Sequence, residues 1–271
     1  MLHVQNIASV APPELAPYRT LRRRKDLERR QLFVAEGEKV VRRLLESDFP
    51  VVSILLTREW LEQLEPWLHR RSEPIQVFVA TKEEIEQITG FNCYQGVKAV
   101  GRIREPATLD TVLQKSARPW FLVALDGLSN AENLGVVVRN CAALGAQALI
   151  VGETSGSPFL TRAIRTSMGA IFRLPAVEVS DLVASLTTLR TRGVRCVAAH
   201  PHADQRGLAQ ADFRSDCCLV FGSEGHGLSA PVLAACDEAV AIPMHGGADS
   251  LNVACAAAAF LYEVARQRDG R

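Results

Sequence analysis

The sequence predicts an α/β protein in two parts: a small α/β domain, then a larger one built on a parallel sheet. Three observations predict it. Apolar strand-like stretches alternate with helical spacings along the whole chain of 271 residues. After Pro119 those stretches become almost wholly apolar, as strands do when helices cover both faces of a sheet. The length also exceeds the ~100–150 residues of a typical single domain.

The elements follow in order. Residues 38–46 (EKVVRRLLE) have helical spacing and 51–56 (VVSILL) read as a buried strand. Residues 59–68 read as a helix, 75–80 as a strand, 82–88 as a short helix and 97–102 as a last strand, completing a domain over 1–105. The segment REPATLDTVLQKSARP, bounded by Pro106 and Pro119, is polar and predicts a linker over 106–118. The second domain then spans 119–271. Its strands are predicted at 121–125, 148–151, 195–199, 219–221 and 239–242, with helices near 134–144, 159–168, 181–192, 229–236 and 251–267.

Composition narrows the function classes. Hydrophobic residues make up 48% and charged residues 23%, which excludes a disordered chain. The seven cysteines are odd in number and lack a Cys-x-x-Cys, and several lie in apolar runs, so free thiols in a reducing cytoplasm are expected and a metal site is not. The apolar stretches fall far short of the ~20 residues a membrane span needs, so no membrane partner is expected. Lys and Arg total 31 against 30 Asp and Glu. The balance hides one concentration: residues 18–30 hold seven basic side chains, among them Arg22, Arg23, Arg24, Lys25 and Arg29, against Asp26 and Glu28. With Leu21, Leu27, Leu32 and Phe33 as an incomplete apolar stripe, this predicts an amphipathic helix whose basic face is either merely solvated or directed at phosphates.

Ligands in parallel sheets bind in the loops after the strands, and three such loops carry polar or flexible residues. In the first, Asn133 can cap a helix beginning near Leu134, and Gly135 permits close backbone approach. Arg139 follows within a helix otherwise made of Val, Leu, Ala and Cys, where an arginine costs stability unless its head reaches water or an anion. The second, Gly222-Ser223-Glu224-Gly225-His226-Gly227, can wrap a flat ligand with its backbone, yet it is neither G-x-G-x-x-G nor a Walker loop. The third runs from Ile242-Pro243-Met244 to Ser250-Leu251-Asn252-Val253-Ala254. Ser250 is a natural helix cap, while Asn252 is a polar residue opening an Ala-rich segment.

Asn133-x-Gly135-x-x-x-Arg139, Gly222-Ser223-Glu224-Gly225-x-Gly227 and Ile242-Pro243-Met244 with Ser250-Leu251-Asn252-Val253, in that order at strand ends, resemble the SpoU/TrmH family of the SPOUT superfamily. The resemblance covers most of 120–268. Phe33-Val-Ala-Glu36-Gly37 and Tyr94-Gln95-Gly96-Val97 are similar to the ribosomal-protein-like RNA-binding domain that many members carry. Ala131-Glu132 stand where the family often has Asp-Pro, a departure that leaves Asn133, Gly135 and Arg139 in place.

The resemblance implies a deep trefoil knot in the second domain and transfer of a methyl group from S-adenosylmethionine to a ribose 2′-hydroxyl in structured RNA, with rRNA favoured over tRNA. It implies that Arg139 leads the chemistry with Asn133, Glu224, Ser250 and Asn252 around it. It further implies that Gly222, Ile242, Met244, Leu251 and Ala254 hold the cofactor and that the chain forms a homodimer through its last helix. Two other readings remain: a catalytically silent RNA-binding or ribosome-assembly protein on the same scaffold, and a small-molecule α/β oxidoreductase, which the absence of a dinucleotide fingerprint disfavours.

Overall fold

The computed structural model describes residues 2–7, 13–19, 27, 29–90, 95–201 and 206–269. The chain divides into two units, Met1–Glu105 with Phe159–Phe172, and Pro106–Pro158 with Arg173–Arg271.

The first unit is built on a five-stranded sheet of β1 (Leu2–Asn6), β2 (Leu32–Glu36), β3 (Val51–Leu56), β4 (Ile75–Val79) and β5 (Val97–Arg102), in the order β1-β4-β3-β5-β2. β1, β4 and β3 run parallel, and β5 is antiparallel to both β3 and β2. Helices α1 (Glu38–Leu45), α2 (Arg58–Leu68) and α3 (Lys82–Thr89) flank it. In α1 the buried residues Val40, Val41, Leu44 and Leu45 repeat at three- and four-residue intervals while Arg42 and Arg43 point away, as the spacing predicts. α3 opens with a capping box between Thr81 and Glu84, which satisfies two amides that have no partner within the helix.

Two strands of this unit escape the sequence reading. β1 is a polar edge strand whose only partly buried residue is Leu2. β2 contains Leu32 and Phe33, which the basic amphipathic helix was to use as its apolar stripe; Phe33 is instead buried against Gly101 of β5. Of the predicted basic helix, Arg29 is exposed and helical, whereas Arg22, Arg23, Arg24 and Lys25 lie outside the described residues. Upstream, Leu15 and Tyr18 are buried, and the Tyr18 hydroxyl bonds to Ser53 Oγ at 2.7 Å.

The second unit holds β6 (Phe121–Leu125), β7 (Ala148–Val151), β8 (Ala176–Glu178), β9 (Arg195–Ala199), β10 (Cys217–Phe221) and β11 (Glu238–Val240). They form one wholly parallel sheet in the order β11-β9-β10-β6-β7-β8. Every residue of β6, β7 and β10 is buried, which is the physical meaning of their unbroken apolar runs. β8 was missed because a three-residue edge strand leaves no periodicity to read.

The polar stretch predicted to link the domains is folded. It forms α4 (Leu109–Lys115), capped by Thr108, with Val112 and Leu113 buried in the core of the second unit and Leu109 packed against it. The spacing of those three residues is that of an amphipathic helix, masked by polar neighbours. Next come α5 (Ala131–Ala143) and α6 (Thr161–Thr166). The sequence reading assigns the α6 segment to the second domain, but Phe159 and Phe172 pack on Phe33 and Phe49 in the first unit, with ring centroids 5.4–5.7 Å apart. Arg43 also donates to the Met168 carbonyl at 2.6 Å. The last helices are α7 (Leu182–Thr191), α8 (Ala230–Ala235) and α9 (Val253–Asp269). No helix of the described residues is long and apolar enough to cross a membrane.

Of the six described cysteines, Cys141, Cys196, Cys217 and Cys218 are buried and all six are free thiols. Burial pushes the Cys217 thiol up to about 11.

If 106–118 were a tether, truncating Leu113 would be silent. Because Leu113 is 3% exposed, Leu113→Ala is expected to lower stability in urea unfolding by about 2–4 kcal/mol.

Candidate active site

β6 and β10 are neighbours in register, Leu125 beside Phe221, so the loops that follow them leave the sheet together. Asp126, 7% exposed, ties them. One carboxylate oxygen accepts from the Ser229 amide at 2.7 Å and the other from Thr154 Oγ1 at 3.4 Å. The loop after β10 is pinched on itself, Ser223 and Gly227 exchanging backbone hydrogen bonds of 3.0 and 2.9 Å. A Cβ on Gly222 would lie 2.1 Å from the Gly227 carbonyl carbon, so the loop's own closure demands glycine there.

The first loop differs from the sequence reading in its cap. α5 begins three residues early, at Ala131, and its cap is Asn130, whose Oδ1 accepts from the amides of Glu132 and Asn133 at 2.9 and 3.1 Å. Asn133 therefore sits inside the first turn with its side chain released for another task. That task is visible in the third loop. Asn252 Nδ2 donates to Asn133 Oδ1 at 3.2 Å and to Glu224 Oε1 at 2.5 Å. The other end of the same side chain, Oδ1, accepts from the Ala254 amide at 2.9 Å, so the cap of α9 is Asn252 and not Ser250. One amide group thus holds all three loops.

Arg139 stands on the exposed side of α5, while Leu134, Val137, Val138 and Cys141 form the buried face. The stability cost expected of an arginine in that helix does not arise, because the helix is one-sided. Arg139 makes no hydrogen bond or ion pair with another described residue, and it is not bonded to the Asn133–Asn252–Glu224 set. Ser250 is likewise exposed and outside that set. A residue not singled out by sequence, Asn140, donates from Nδ2 to the Ala254 carbonyl at 3.0 Å and so clips α5 to α9.

Beside the three loops lies a cleft of about 330 Å³. Of the residues assigned to the cofactor, Gly222, Ile242, Met244 and Leu251 line it, together with Glu224 and Ser250. Leu251 is 44% exposed. Ala254 does not line the cleft. It is buried in the first turn of α9, where both its backbone groups are engaged, and Val253 and Ala256 face the cleft in its place. His200 and Pro201, just beyond β9, and Phe260 of α9 also contribute walls. The signal for the first two was available, since they follow a parallel strand at its carboxyl end. Among the described residues no group of three or more His, Cys, Asp or Glu is arranged to hold a metal ion.

The SpoU rRNA methylase family model matches residues 121–262, and an MRM3-like substrate-binding domain matches 13–99. The chain belongs to the SpoU rRNA methylase family. It is 35% identical over 277 aligned residues to an uncharacterized tRNA/rRNA methyltransferase of Mycobacterium tuberculosis, covering 99% of this chain and 93% of the relative. It is 34% identical to RlmB of Ralstonia nicotianae, a 23S rRNA (guanosine-2′-O-)-methyltransferase, over 72% of this chain and 78% of that one. Among solved structures it resembles the SpoU methyltransferase AviRb from Streptomyces viridochromogenes in complex with AdoMet. There the TM-score is 0.81 at 27% identity, covering 96% of this chain and all of the other. In SpoU terms, the three loops of this site are those on which the sequence motifs fall.

Gly222→Ala is expected to break the Ser223–Gly227 closure and to lower thermal stability by about 1–3 kcal/mol, measured by calorimetry. An unchanged melting temperature would mean that the loop closes differently.

Proposed function

We propose that the protein transfers a methyl group from S-adenosylmethionine to a ribose 2′-hydroxyl in structured RNA, with rRNA as the favoured substrate, acting in the cytoplasm. The observation that carries this reading is the convergence of Asn133, Glu224 and Asn252, of which Glu224 also lines the cleft. The name of RlmB, with its guanosine 2′-O specificity on 23S rRNA, and the AdoMet complex of AviRb support it.

The cleft suits such a cofactor. Ile242, Met244 and Leu251 supply apolar surface, the loop starting at Gly222 supplies backbone groups, and Glu224 supplies a negative charge at the rim. Its volume is at the lower end of the ~300–1,000 Å³ typical of ligand sites. S-adenosylmethionine, when bound, supplies an activated methyl, which leaves the protein to orient a hydroxyl and manage its proton.

Arg139 is the leading catalytic residue in this reading. A guanidinium does not give up its proton near neutral pH, so Arg139 is no general base. An exposed, unpaired guanidinium can instead clamp the phosphate next to the target ribose and favour the ionised form of the hydroxyl. The proton leaves to a phosphate oxygen, to Ser250 or to water. Asn252 holds Glu224 and Asn133 in place, and these two orient the sugar.

Tritiated methyl transfer to rRNA from a strain lacking this protein tests the reading, followed by mapping of ribose methylation. Arg139→Ala is expected to reduce turnover by about 10²-fold while calorimetry shows cofactor affinity unchanged. Near-wild-type turnover would remove Arg139 from this role.

A homodimer through α9 is proposed on the same footing: Tyr262 of that helix is 61% exposed, an exposure that pairing with a second copy would relieve. Light scattering is expected to show twice the 29.6 kDa chain mass, with Tyr262→Asp shifting the population toward monomer. A fully active monomer would overturn the dimer.

A further inference from the structure

Asn133 and Asn140 stand seven positions apart on α5, close to two full turns, and so share one side of the helix. Both reach the start of α9. Asn133 Oδ1 accepts from Asn252 Nδ2 at 3.2 Å, one residue before that helix begins. Asn140 Nδ2 donates to the Ala254 carbonyl at 3.0 Å, in its first turn. Between them the Ala254 amide donates to Asn252 Oδ1 at 2.9 Å. These bonds close a ring that leaves α5 at Asn133 and returns to it at Asn140.

The packing around this ring has little shape of its own. α5 is anchored by its buried face of Leu134, Val137, Val138 and Cys141. α9 packs on α5, and after Val253 its opening turns hold Ala254, Ala256, Ala257, Ala258 and Ala259. Its larger buried side chains, Phe260, Leu261 and Val264, come later in the helix. Methyl groups bury area without interlocking, so they resist separation of two helices better than a small slide of one along the other. A unique arrangement needs complementary shapes or directional bonds. The first turn of α9 matters to the site, because Val253 and Ala256 line the cleft and Asn252 holds Glu224. Arg139, next to Asn140 in the chain, has no bond to another described residue, so the backbone of α5 is what aims it. A displacement of about 1 Å between reacting groups is enough to slow a reaction about 10²-fold.

We propose that Asn140 is a positioning residue for methyl transfer: its hydrogen bond to the Ala254 carbonyl fixes the first turn of α9 against α5, and so sets the distance between Arg139 and the cleft wall. Asn140 is not among the residues that line the cleft, and it acts through Arg139 on one side and the start of α9 on the other. The inference rests on the methyltransferase reading and on the role given there to Arg139. A merely structural asparagine would change how much enzyme is folded, and the folded enzyme would turn over as before.

The test measures kcat and KM for methyl transfer by the full chain to rRNA from a strain lacking the protein. S-adenosylmethionine is saturating, and calorimetry checks that each variant is folded. Asn140→Leu, which keeps the bulk and loses the donor, is expected to lower kcat about tenfold and to leave KM for the rRNA within about twofold. Asn140→Asp keeps the shape but replaces the donor with an acceptor, and the same loss is expected, which separates the bond from the packing. In an Arg139→Ala background, Asn140→Leu is expected to lower kcat by less than about twofold further, because the two residues then act on one contact. Unchanged kcat in either folded variant would overturn the positioning role. A full tenfold loss in the Arg139→Ala background would overturn it as well. Absence of methyl transfer by the wild-type chain to any RNA would instead overturn the activity on which it rests.

Discussion

The side-chain amide of Asn252 joins three loops that are far apart in sequence. Its nitrogen has two hydrogens, and both are used, one on Asn133 and one on Glu224. Its oxygen caps the last helix through the Ala254 amide. The geometry of the site therefore depends on where α9 begins, and the start of α9 depends on the same residue. No other described side chain bonds residues of all three loops.

That arrangement needs a rigid base, which the parallel sheet supplies. β6 and β10 lie side by side with every residue buried, so the loops after them emerge at fixed spacing. Asp126 then locks the loops to each other behind the site. A buried carboxylate accepting from a backbone amide and a hydroxyl is worth about 1.5–3 kcal/mol in charge-assisted bonding. The Asn140 bond to the Ala254 carbonyl does the corresponding work on the other side, clipping α5 to α9. Arg139 stays outside these bonds, and a guanidinium on an exposed helix face, unpaired among the described residues, can meet a ligand.

Much of this was legible because the signals are local. β3, β6, β7, β9 and β5 coincide with the predicted strands, since apolar runs of four to six residues have few other uses in a compact α/β chain. The motif residues also fall where parallel strands end, and Gly222, Ile242, Met244 and Leu251 do line the cleft. The misreadings share one physical reason, which is that the deciding partner is distant in sequence. Phe33 looked like part of a helix because its pairing with β5 lies some seventy residues away. Leu109, Val112 and Leu113 looked like a tether because the core that buries them comes later in the chain. Asn133 looked like a cap because Asn130 is an equally good one, and the choice between them lies in the path of the loop.

The sequence by itself determined the fold class, the strands buried on both faces and the three loops that carry polar residues, because periodicity and burial are imposed residue by residue. It also determined the family, through motifs whose order survives without any structure. Only the tertiary structure decided which polar residues meet. It separated Asn252 from Ser250 as the cap of α9, withdrew Ala254 from the cleft, placed Arg139 on an open face and packed 159–172 with the first sheet. Each of these choices is made by a hydrogen bond or an aromatic contact between residues far apart in the chain, and such contacts exist only once both partners have folded.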